Sequence, residues 1–228
     1  MAIVLEKKLV KGEKIDLLKK SGDKLTQFCV GCNWGAVIEK TFFGLSTKVV
    51  DVDLDLSCLM FDADGNPVDH IYSPLYRFSQ NNLGLPDGKL DSNDRALHHT
   101  GDDLKGDQDG DDGLDNEIIT VDLTKVSSNI NSIVFFLNIY NNEDYRGDFS
   151  GIPYASVRMF EGNPQYAPKQ VFAQYDVATK TECIGKRGLI LGKLYRRNGE
   201  WKFAAIGDAF EDKSIINTIA RVIKDYSK

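Results

Sequence analysis

The sequence has no long hydrophobic run, few cysteines and no internal repeat over its 228 residues. No segment approaches the roughly 20 consecutive apolar residues of a membrane-spanning helix, so we expect no membrane insertion. Charges at Glu6 and Lys7 leave no room for the apolar core of a signal peptide, which predicts a cytoplasmic protein. Four cysteines in a chain of this length do not make a disulfide framework.

The short motifs of common enzyme classes are also missing. There is no nucleophile elbow, no P-loop and no paired-histidine zinc motif. Cys29 and Cys32 form a lone CVGC, but no helix is predicted after it, so we interpret both as small residues of a strand. We therefore expect a protein that is not an enzyme. One enzymatic alternative stays open, a metal-dependent hydrolase in which clustered aspartates hold two ions and His98 or His99 is the base.

The negative charge of the protein is concentrated in one segment. Residues 101–117, called the acidic loop below, contain eight acidic side chains and one lysine, whereas the whole chain has a net charge of -6. The rest of the chain is therefore close to neutral, and neither nucleic acid nor an anionic membrane is an expected general partner. Such a local charge predicts a local cation.

Alternating polarity predicts strands along most of the chain. Residues 49–61 alternate between apolar side chains and aspartates, which indicates a strand with one buried face and a second face that begins with Asp51, Asp53 and Asp55. Further strands are predicted over residues 117–123, 132–140, 154–160 and 170–177. Residues 132–140 are apolar nearly throughout, as in a central strand covered on both faces.

Two turn signals and a change from strand to helical periodicity near the C-terminus complete the predicted fold. Asp64-Gly65 and Asn198-Gly199 are typical of hairpin turns. Isoleucines at helical spacing from Ile215 predict a C-terminal helix that packs on a sheet, with Asp212 or Ser214 as its N-cap, and a partner-binding helix is the alternative. The fold class is therefore mainly β, an antiparallel β-sandwich with a C-terminal helix and long loops. No linker divides the chain, so a single domain over 1–228 is expected.

The acidic loop has the composition of a calcium site. Calcium takes six to eight oxygen ligands, and Gly110 and Gly113 permit the positive φ angles that wrapping around an ion requires. If the loop wraps an ion, the alternation directs Asp107, Asp109 and Asp111 inward. The loop differs from an EF-hand, because its sixth position is an aspartate and a predicted strand follows it. We predict a different calcium loop seated on a sheet, with a solvated charge run as the alternative.

A resemblance to a known family adds to these predictions. The segments VGCNW, DVDLDLSCLMFDADG, HHTGDDLKGDQDGDDGLDNEIITVDL and YDVATKTECIGKRGLILGKLYRRNGEWKFAAIGDAF occur in this order. They resemble the TerD family of bacterial tellurium-resistance and stress-response proteins over nearly the whole chain. The resemblance implies a cytoplasmic calcium-binding β-sandwich, and it places the family's metal-binding aspartates on Asp53, Asp55, Asp102, Asp109, Asp111 and Asp112.

The candidate metal ligands combine the resemblance with the loop's own composition. They are Asp53, Asp55, Asp102, Asp107, Asp109, Asp111, Asp112, Asp115 and Glu117. In many relatives a glutamate directly follows the paired aspartates, whereas here GLDN separates the pair from Glu117. Asp115, which lies in this insertion, is therefore included as a substitute ligand. We expect two calcium ions and a calcium-dependent scaffold or sensor within a larger, membrane-associated complex of tellurium-resistance proteins. The alternatives are the hydrolase and a module that uses calcium to bind a membrane or a partner.

Overall fold

Two antiparallel β-sheets share one hydrophobic core in the structure, a computed structural model that describes residues 14–19, 22–41, 45–81, 83–140, 145–178 and 181–228. The strands of the described chain are β1 (Lys14–Asp16), β2 (Gln27–Trp34), β3 (Val37–Thr41), β4 (Ser46–Val50), β5 (Leu54–Phe61), β6 (Pro67–Ile71), β7 (Leu97–His99), β8 (Glu117–Asp122), β9 (Ser132–Ile139), β10 (Ala155–Glu161), β11 (Gln170–Asp176), β12 (Gly188–Arg197) and β13 (Glu200–Phe210). The antiparallel β-sandwich predicted from the sequence is confirmed.

The order of strands places the predicted aspartate strand inside a sheet, between β9 and the edge strand β6. The first sheet has six strands in the order β1-β13-β12-β9-β5-β6, and the second has five in the order β11-β10-β2-β8-β7. A separate hairpin pairs β3 with β4. Because β5 and β8 lie in different sheets, the carboxylates of residues 53–55 and of the acidic loop approach each other from two layers.

The predicted strand over residues 49–61 is wrong in its extent and in its burial. β4 ends at Val50 and β5 begins at Leu54, so Asp51 and Asp53 lie between strands. Every residue of β5 is buried, because β5 has a covered face on each side. Leu56 and Met60 enter the core between the sheets, whereas Leu59 and Phe61 pack under the C-terminal helix.

The C-terminal helix covers the outer face of the six-stranded sheet, as predicted. Helix α1 (Ile215–Arg221) continues into a π-helical turn (Val222–Tyr226), and Ile215, Ile219 and Val222 pack against the sheet. Of the two predicted N-cap residues, Ser214 is confirmed in position and Asp212 is not. Ser214 occupies the N-cap position without a side-chain capping bond, and Asp212 instead accepts hydrogen bonds from the Arg221 guanidinium at 2.7 and 2.9 Å.

Both predicted hairpins are confirmed. β5 pairs with β6 across the turn that contains Gly65 at φ 84°, and β12 pairs with β13 across Asn198 and Gly199, whose φ angles are 54° and 78°. Positive φ at both central residues is the requirement of a type I′ turn. The strands β8, β9, β10 and β11 agree with the predicted ranges to within one residue, and β9 is buried along its whole length.

The cysteines lie in the interior. Cys29 and Cys32 are in β2, which confirms the interpretation of CVGC as part of a strand, and all four cysteines are buried without a disulfide. Burial raises the pKa of Cys29 to about 11, so its thiol stays protonated at neutral pH. Among the described helices, none combines the length and the apolar content needed to cross a membrane.

Candidate metal centre

Three carboxylates meet where β5 begins. Asp53 precedes β5, Asp55 is its second residue, and Asp102 comes from the acidic loop. One oxygen of each lies within 4.8 Å of the others. Asp53 and Asp55 are buried and Asp102 is half-buried, so little water screens their charges. We call these residues the inner group.

Asp53 carries a buried oxygen without a hydrogen-bond donor. It is 5% exposed, its Oδ1 is buried, and that oxygen accepts no hydrogen bond in the described structure. Burial, followed by the charges of Asp102 and Glu117, raises the pKa of Asp53 to about 8. A buried carboxylate without a donor is costly, so the arrangement requires either a proton or a cation.

Asp55 is held by two neutral side chains that the sequence analysis did not identify. The hydroxyl of Tyr76 donates to Asp55 Oδ2 at 2.5 Å, and Asn138 Nδ2 donates to the same oxygen at 3.2 Å. Burial, followed by the charge of Asp53, raises the pKa of Asp55 well above its usual value. Both hydrogen bonds engage Oδ2 and so fix the orientation of the carboxyl. No sequence signal pointed to Tyr76, because it lies in a stretch for which no element was predicted.

Glu117 connects the two sheets and the acidic loop. Its Oε2 accepts a hydrogen bond from Leu56 N of β5 at 2.7 Å, and its Oε1 accepts one from Asp103 N at 3.2 Å. His99 Nε2 lies 3.3 Å from Oε2, while His99 Nδ1 accepts from Gly101 N at 3.0 Å. This pattern assigns the ring proton to Nε2. Both Glu117 oxygens are therefore engaged within the protein, although the charge of Glu117 adds to that of the inner group.

A second set of carboxylates lies further along the acidic loop. Asp107, Asp111 and Asp112 each place one oxygen within 4.8 Å of the others, and Asp111 and Asp112 are exposed. We call these residues the outer group. Neutral donors support it, because Tyr154 OH donates to Asp107 Oδ2 at 2.9 Å and Asn33 Nδ2 donates to Asp111 Oδ1 at 3.0 Å.

The two remaining candidates of the loop, Asp109 and Asp115, belong to neither group. Asp109 is exposed and is in neither set of neighbouring carboxylates. Asp107, Asp109 and Asp111 were expected to point inward together, whereas in the structure Asp112 joins Asp107 and Asp111 in place of Asp109. Asp115 is fully buried and pairs with Arg158 Nε at 2.9 Å. Burial raises the pKa of Asp115 to about 6 despite the Arg158 guanidinium.

The acidic loop is anchored to β2 through its backbone. Asp107 N donates to Trp34 O at 2.9 Å, and Ala36 N donates to Asp107 O at 2.9 Å. Gly106 has φ 68° and lies against the Trp34 ring, where a Cβ would collide with the indole. The Trp34 indole donates to Val52 O at 2.7 Å and so ties β2 to the segment before Asp53. These contacts hold the two carboxylate groups at one end of the sandwich.

The donor atoms fit a hard divalent cation. All side chains of the inner and outer groups offer carboxylate oxygens, and the four cysteines are buried elsewhere in the sheets and loops. Oxygen-only ligands favour calcium or magnesium over zinc or copper. The unpartnered Oδ1 of Asp53 and the buried, unpartnered Oδ1 of Asp102 are the atoms that an ion in the inner group would contact.

The histidines next to the acidic loop do not match the role of a general base. His98 is exposed and its Nδ1 lies 2.9 Å from Asp91 Oδ1, on the opposite side of β7 from buried His99. Both His99 nitrogens are engaged with protein groups, and burial lowers the pKa of His99 to about 4. His99 is thus neutral at physiological pH and serves to orient Glu117.

Comparison with known proteins identifies the family. Residues 5–222 match the TerD domain. The chain belongs to the TerD family. It is 32% identical to stress response protein SCP2 of Bacillus subtilis (strain 168) over 98% of this chain and 100% of that protein. It is 29% identical to tellurium resistance protein TerZ of Serratia marcescens over 91% of this chain and 92% of that protein.

Solved structures agree with the fold of this TerD-family chain. A homologue of telluride resistance protein (TerD) from Streptomyces coelicolor A3(2) has a TM-score of 0.59 at 14% identity, over 89% of this chain and 98% of that one. At this identity the similarity supports the fold alone. The family resemblance predicted from the sequence motifs is confirmed by the domain match and by the two relatives.

Proposed function

We propose that this TerD-family chain is a cytoplasmic calcium-binding protein that acts as a calcium-dependent scaffold or sensor in a tellurium-resistance type of stress response. Its partners are other proteins of a membrane-associated complex. The observation that carries the proposal is Asp53, a buried carboxyl with an unpartnered oxygen between Asp55 and Asp102. The names of the relatives, stress response protein and tellurium resistance protein, support the physiological part.

The electrostatics of the site support a role for the ion in ordering the acidic loop. Two carboxylates about 4 Å apart repel by roughly 4 kcal/mol at an effective dielectric constant of 20. Within the inner group, Asp102 of the loop meets Asp53 and Asp55 at a comparable distance, so a cation that removes the repulsion stabilises the closed arrangement. A ligand that binds only the folded state adds about 2.7 kcal/mol at a concentration one hundred times its dissociation constant.

Calcium titration of metal-free protein tests the proposal. We expect a heat of binding in isothermal titration calorimetry and a rise of the melting temperature with calcium. Asp53→Asn should remove the tighter phase of binding, whereas the matched control Asp64→Asn, in the exposed β5–β6 turn, should leave it unchanged. No heat and no melting shift with millimolar calcium would contradict the proposal.

A cleft above the inner group favours a second candidate function, calcium-dependent binding of a partner or a membrane phosphate. The cleft has a volume of about 280 Å³ and is lined by Asp53, Lys105 and three side chains with exposed apolar surface, Leu75, Leu104 and Tyr140. An ion held there has an open side that faces these residues. Sedimentation with anionic and neutral vesicles, each with calcium and without it, separates this function from a closed calcium site.

The geometry gives less support to a hydrolase. Among the described histidines next to the acidic loop, His99 has both nitrogens engaged and His98 is paired with Asp91. The relatives are named for stress response and tellurium resistance and not for a reaction. A phosphoester screen with manganese and calcium, repeated with an Asp109→Asn and Asp111→Asn double variant, is the test. Metal-dependent turnover that the double variant loses would favour the hydrolase.

A further inference from the structure

A basic cleft lies at the end of the sandwich opposite the carboxylates. Asp53 precedes β5 and Asp62 follows it, so the strand separates the two ends by roughly 30 Å. The cleft has a volume of about 580 Å³, within the range of small-molecule sites. Its lining includes five basic side chains and two acidic ones; the basic ones are Lys14, Lys193, Arg196, Arg197 and Lys228.

The register of three neighbouring strands explains the shape of the cleft. Ala204 of β13 pairs with Lys14 of β1 on one side and with Lys193 of β12 on the other. Paired residues point to the same face of a sheet, so two lysines flank one methyl group. Lys193, Tyr195 and Arg197 occupy every second position of β12 and therefore share that face. A small residue between long cationic side chains leaves a notch with a positive rim.

The cations of the cleft have no carboxylate partner among the described residues. Elsewhere in the described chain, half-buried Arg158 and Lys89 form ion pairs with Asp115 and Asp69. In the cleft, Lys193 and Arg196 are half-buried, and Lys14, Arg197 and Lys228 are exposed. Half-buried Lys193 instead donates to the backbone carbonyl of Tyr226 at 2.8 Å. Burial lowers the pKa of Lys193, in keeping with an ammonium that lacks a neighbouring anion.

Arg196 is held in place by acceptors that leave its charge uncompensated. It donates to three backbone carbonyls, those of Ile130, Val126 and Ser127, at 2.9 to 3.2 Å. Its guanidinium carbon lies 4.6 Å from the centre of the Trp201 ring. Carbonyl dipoles and an aromatic face position a guanidinium without cancelling its charge. Alternation along β12 places the Arg196 side chain on the face opposite to Lys193, Tyr195 and Arg197, so Arg196 borders the cleft without being one of the cations that flank the notch.

The aspartates of the cleft do not replace the missing partners. Asp62 accepts hydrogen bonds from Asp64 N, Asn66 N and Asn66 Nδ2 at 2.8 to 3.0 Å, so its carboxylate is engaged in its own turn. These bonds lower the pKa of Asp62 and account for its presence without an ion pair. Asp64 is exposed at the same turn. Neither aspartate is therefore an ion-pair partner of the cations of the cleft in the described structure.

We propose that this cleft binds a phosphate-bearing small molecule, with Lys193 and Arg197 in direct contact with the phosphate. A guanidinium next to ammonium groups matches the geometry and charge of a phosphate, and the hydroxyls of Ser132 and Ser227 on the lining add donors. The acidic net charge of the protein disfavours a long polyanion such as RNA, whose phosphates extend past the cleft. This site is separate from the carboxylate groups and does not depend on calcium.

Titration with sodium pyrophosphate tests the proposal. The full chain is first passed over a chelating resin, because a soluble chelator is itself a polyanion and calcium would bind the probe. Lys193→Gln and Arg197→Gln are compared with Lys169→Gln, which changes the net charge equally and lies on the lining of a different cleft. Each cleft variant should weaken pyrophosphate binding by about tenfold, the loss typical of one hydrogen bond to a charged group, and the control should not. Asp53→Asn should also leave the binding unchanged.

The outcomes separate a built site from general attraction. Weakening in both cleft variants, with the control and Asp53→Asn unaffected, supports the proposal. No heat with millimolar pyrophosphate, equal weakening in Lys169→Gln, or tighter binding of a single-stranded RNA oligonucleotide than of pyrophosphate would overturn it. Because Lys193→Gln removes the bond to Tyr226, the melting temperature is measured for each variant. Arg197→Gln, whose side chain makes no hydrogen bond within the described chain, supplies the test that is independent of folding.

Discussion

Replacing Asp53 by asparagine should stabilise the metal-free protein and remove its response to calcium. Asparagine has nearly the shape of aspartate and carries no charge, so it resembles the protonated carboxyl that burial favours at this position. The side chain is 5% exposed and its Oδ1 has no hydrogen-bond donor in the described structure. The variant therefore removes a repulsion without opening a cavity.

The size of the effect follows from the raised pKa. Asp53 has a pKa of about 8 in the folded state and 3.8 in the reference state. At pH 7 the folded protein keeps a proton that the unfolded chain has released, and one pH unit of this difference is about 1.4 kcal/mol. Over about three pH units this cost is on the order of 4 kcal/mol, and the burial of the asparagine amide offsets part of the gain. We expect a melting temperature higher by about 10 °C for a chain of this size.

The pH dependence has a definite sign. A carboxyl whose pKa is raised by folding lowers stability as pH increases between the unfolded and folded values, here from about 4 to about 8. The parent and Asp53→Asn should therefore have equal stability below pH 4 and should differ most at pH 8 and above. Thermal melting in metal-free buffer, followed by tryptophan fluorescence of buried Trp34 and of Trp201, measures the difference.

Calcium supplies the second half of the test. The parent should melt at a higher temperature as calcium is added, and Asp53→Asn should respond far less because the ion loses a central ligand. Asp64→Asn should follow the parent in both buffers. If Asp53→Asn is less stable than the parent at pH 7 without metal, or if both gain equally from calcium, the account of the inner group is refuted.

Three other side chains give independent predictions. Tyr76→Phe removes the donor to Asp55 and should lower the free energy of unfolding by about 1 to 3 kcal/mol, measured by urea denaturation. Tyr76→Trp would not serve as a control, because it changes the volume of the side chain. Arg158→Met leaves buried Asp115 without its cation and should lower the free energy of unfolding by about 3 to 5 kcal/mol at pH 7. Part of this loss should be recovered at pH 5, where Asp115 becomes protonated, and thermal melting at the two pH values measures the difference. Ile219→Ala should cost about 2 to 5 kcal/mol, and a cost below 1 kcal/mol in denaturation would indicate that the helix is not part of the core.

The sequence predicted most strands because their polarity patterns are local. Residues 132–139 are apolar on both faces, and β9 lies between β5 and β12 with one face on the core and the other under the helix. The hairpin at Asn198-Gly199 was predicted because positive φ at two successive residues selects these two residue types. By contrast, the break at residues 51–53 is imposed by tertiary contacts such as the Trp34 indole on Val52 O, which periodicity does not reveal.

The sequence predicted the acidic residues of the candidate site but not the neutral residues that hold them. The resemblance named Asp53, Asp55 and Asp102 as candidate ligands, and the structure brings one oxygen of each within 4.8 Å of the others. Tyr76 and Asn138, which hold Asp55, come from segments distant in sequence and have no composition signal. Since the pairing of a carboxylate with a neutral donor depends on the packing of two sheets and a loop, only the folded structure identifies it.

Glu117 provides the physical route by which events at the carboxylates could reach both sheets. It begins β8 in the five-stranded sheet, accepts a hydrogen bond from Leu56 N in the six-stranded sheet and accepts another from Asp103 N of the acidic loop. Its charge also raises the pKa of Asp53, so any change of charge in the inner group alters the strength of bonds that join three segments. Glu117→Gln keeps the shape and removes this charge. Its amide offers one acceptor where both Glu117 oxygens accept a backbone N–H, so we expect the variant to lose one of these two bonds. Thermal melting with and without calcium should show a smaller calcium-dependent rise than in the parent, because the repulsion that an ion relieves is smaller.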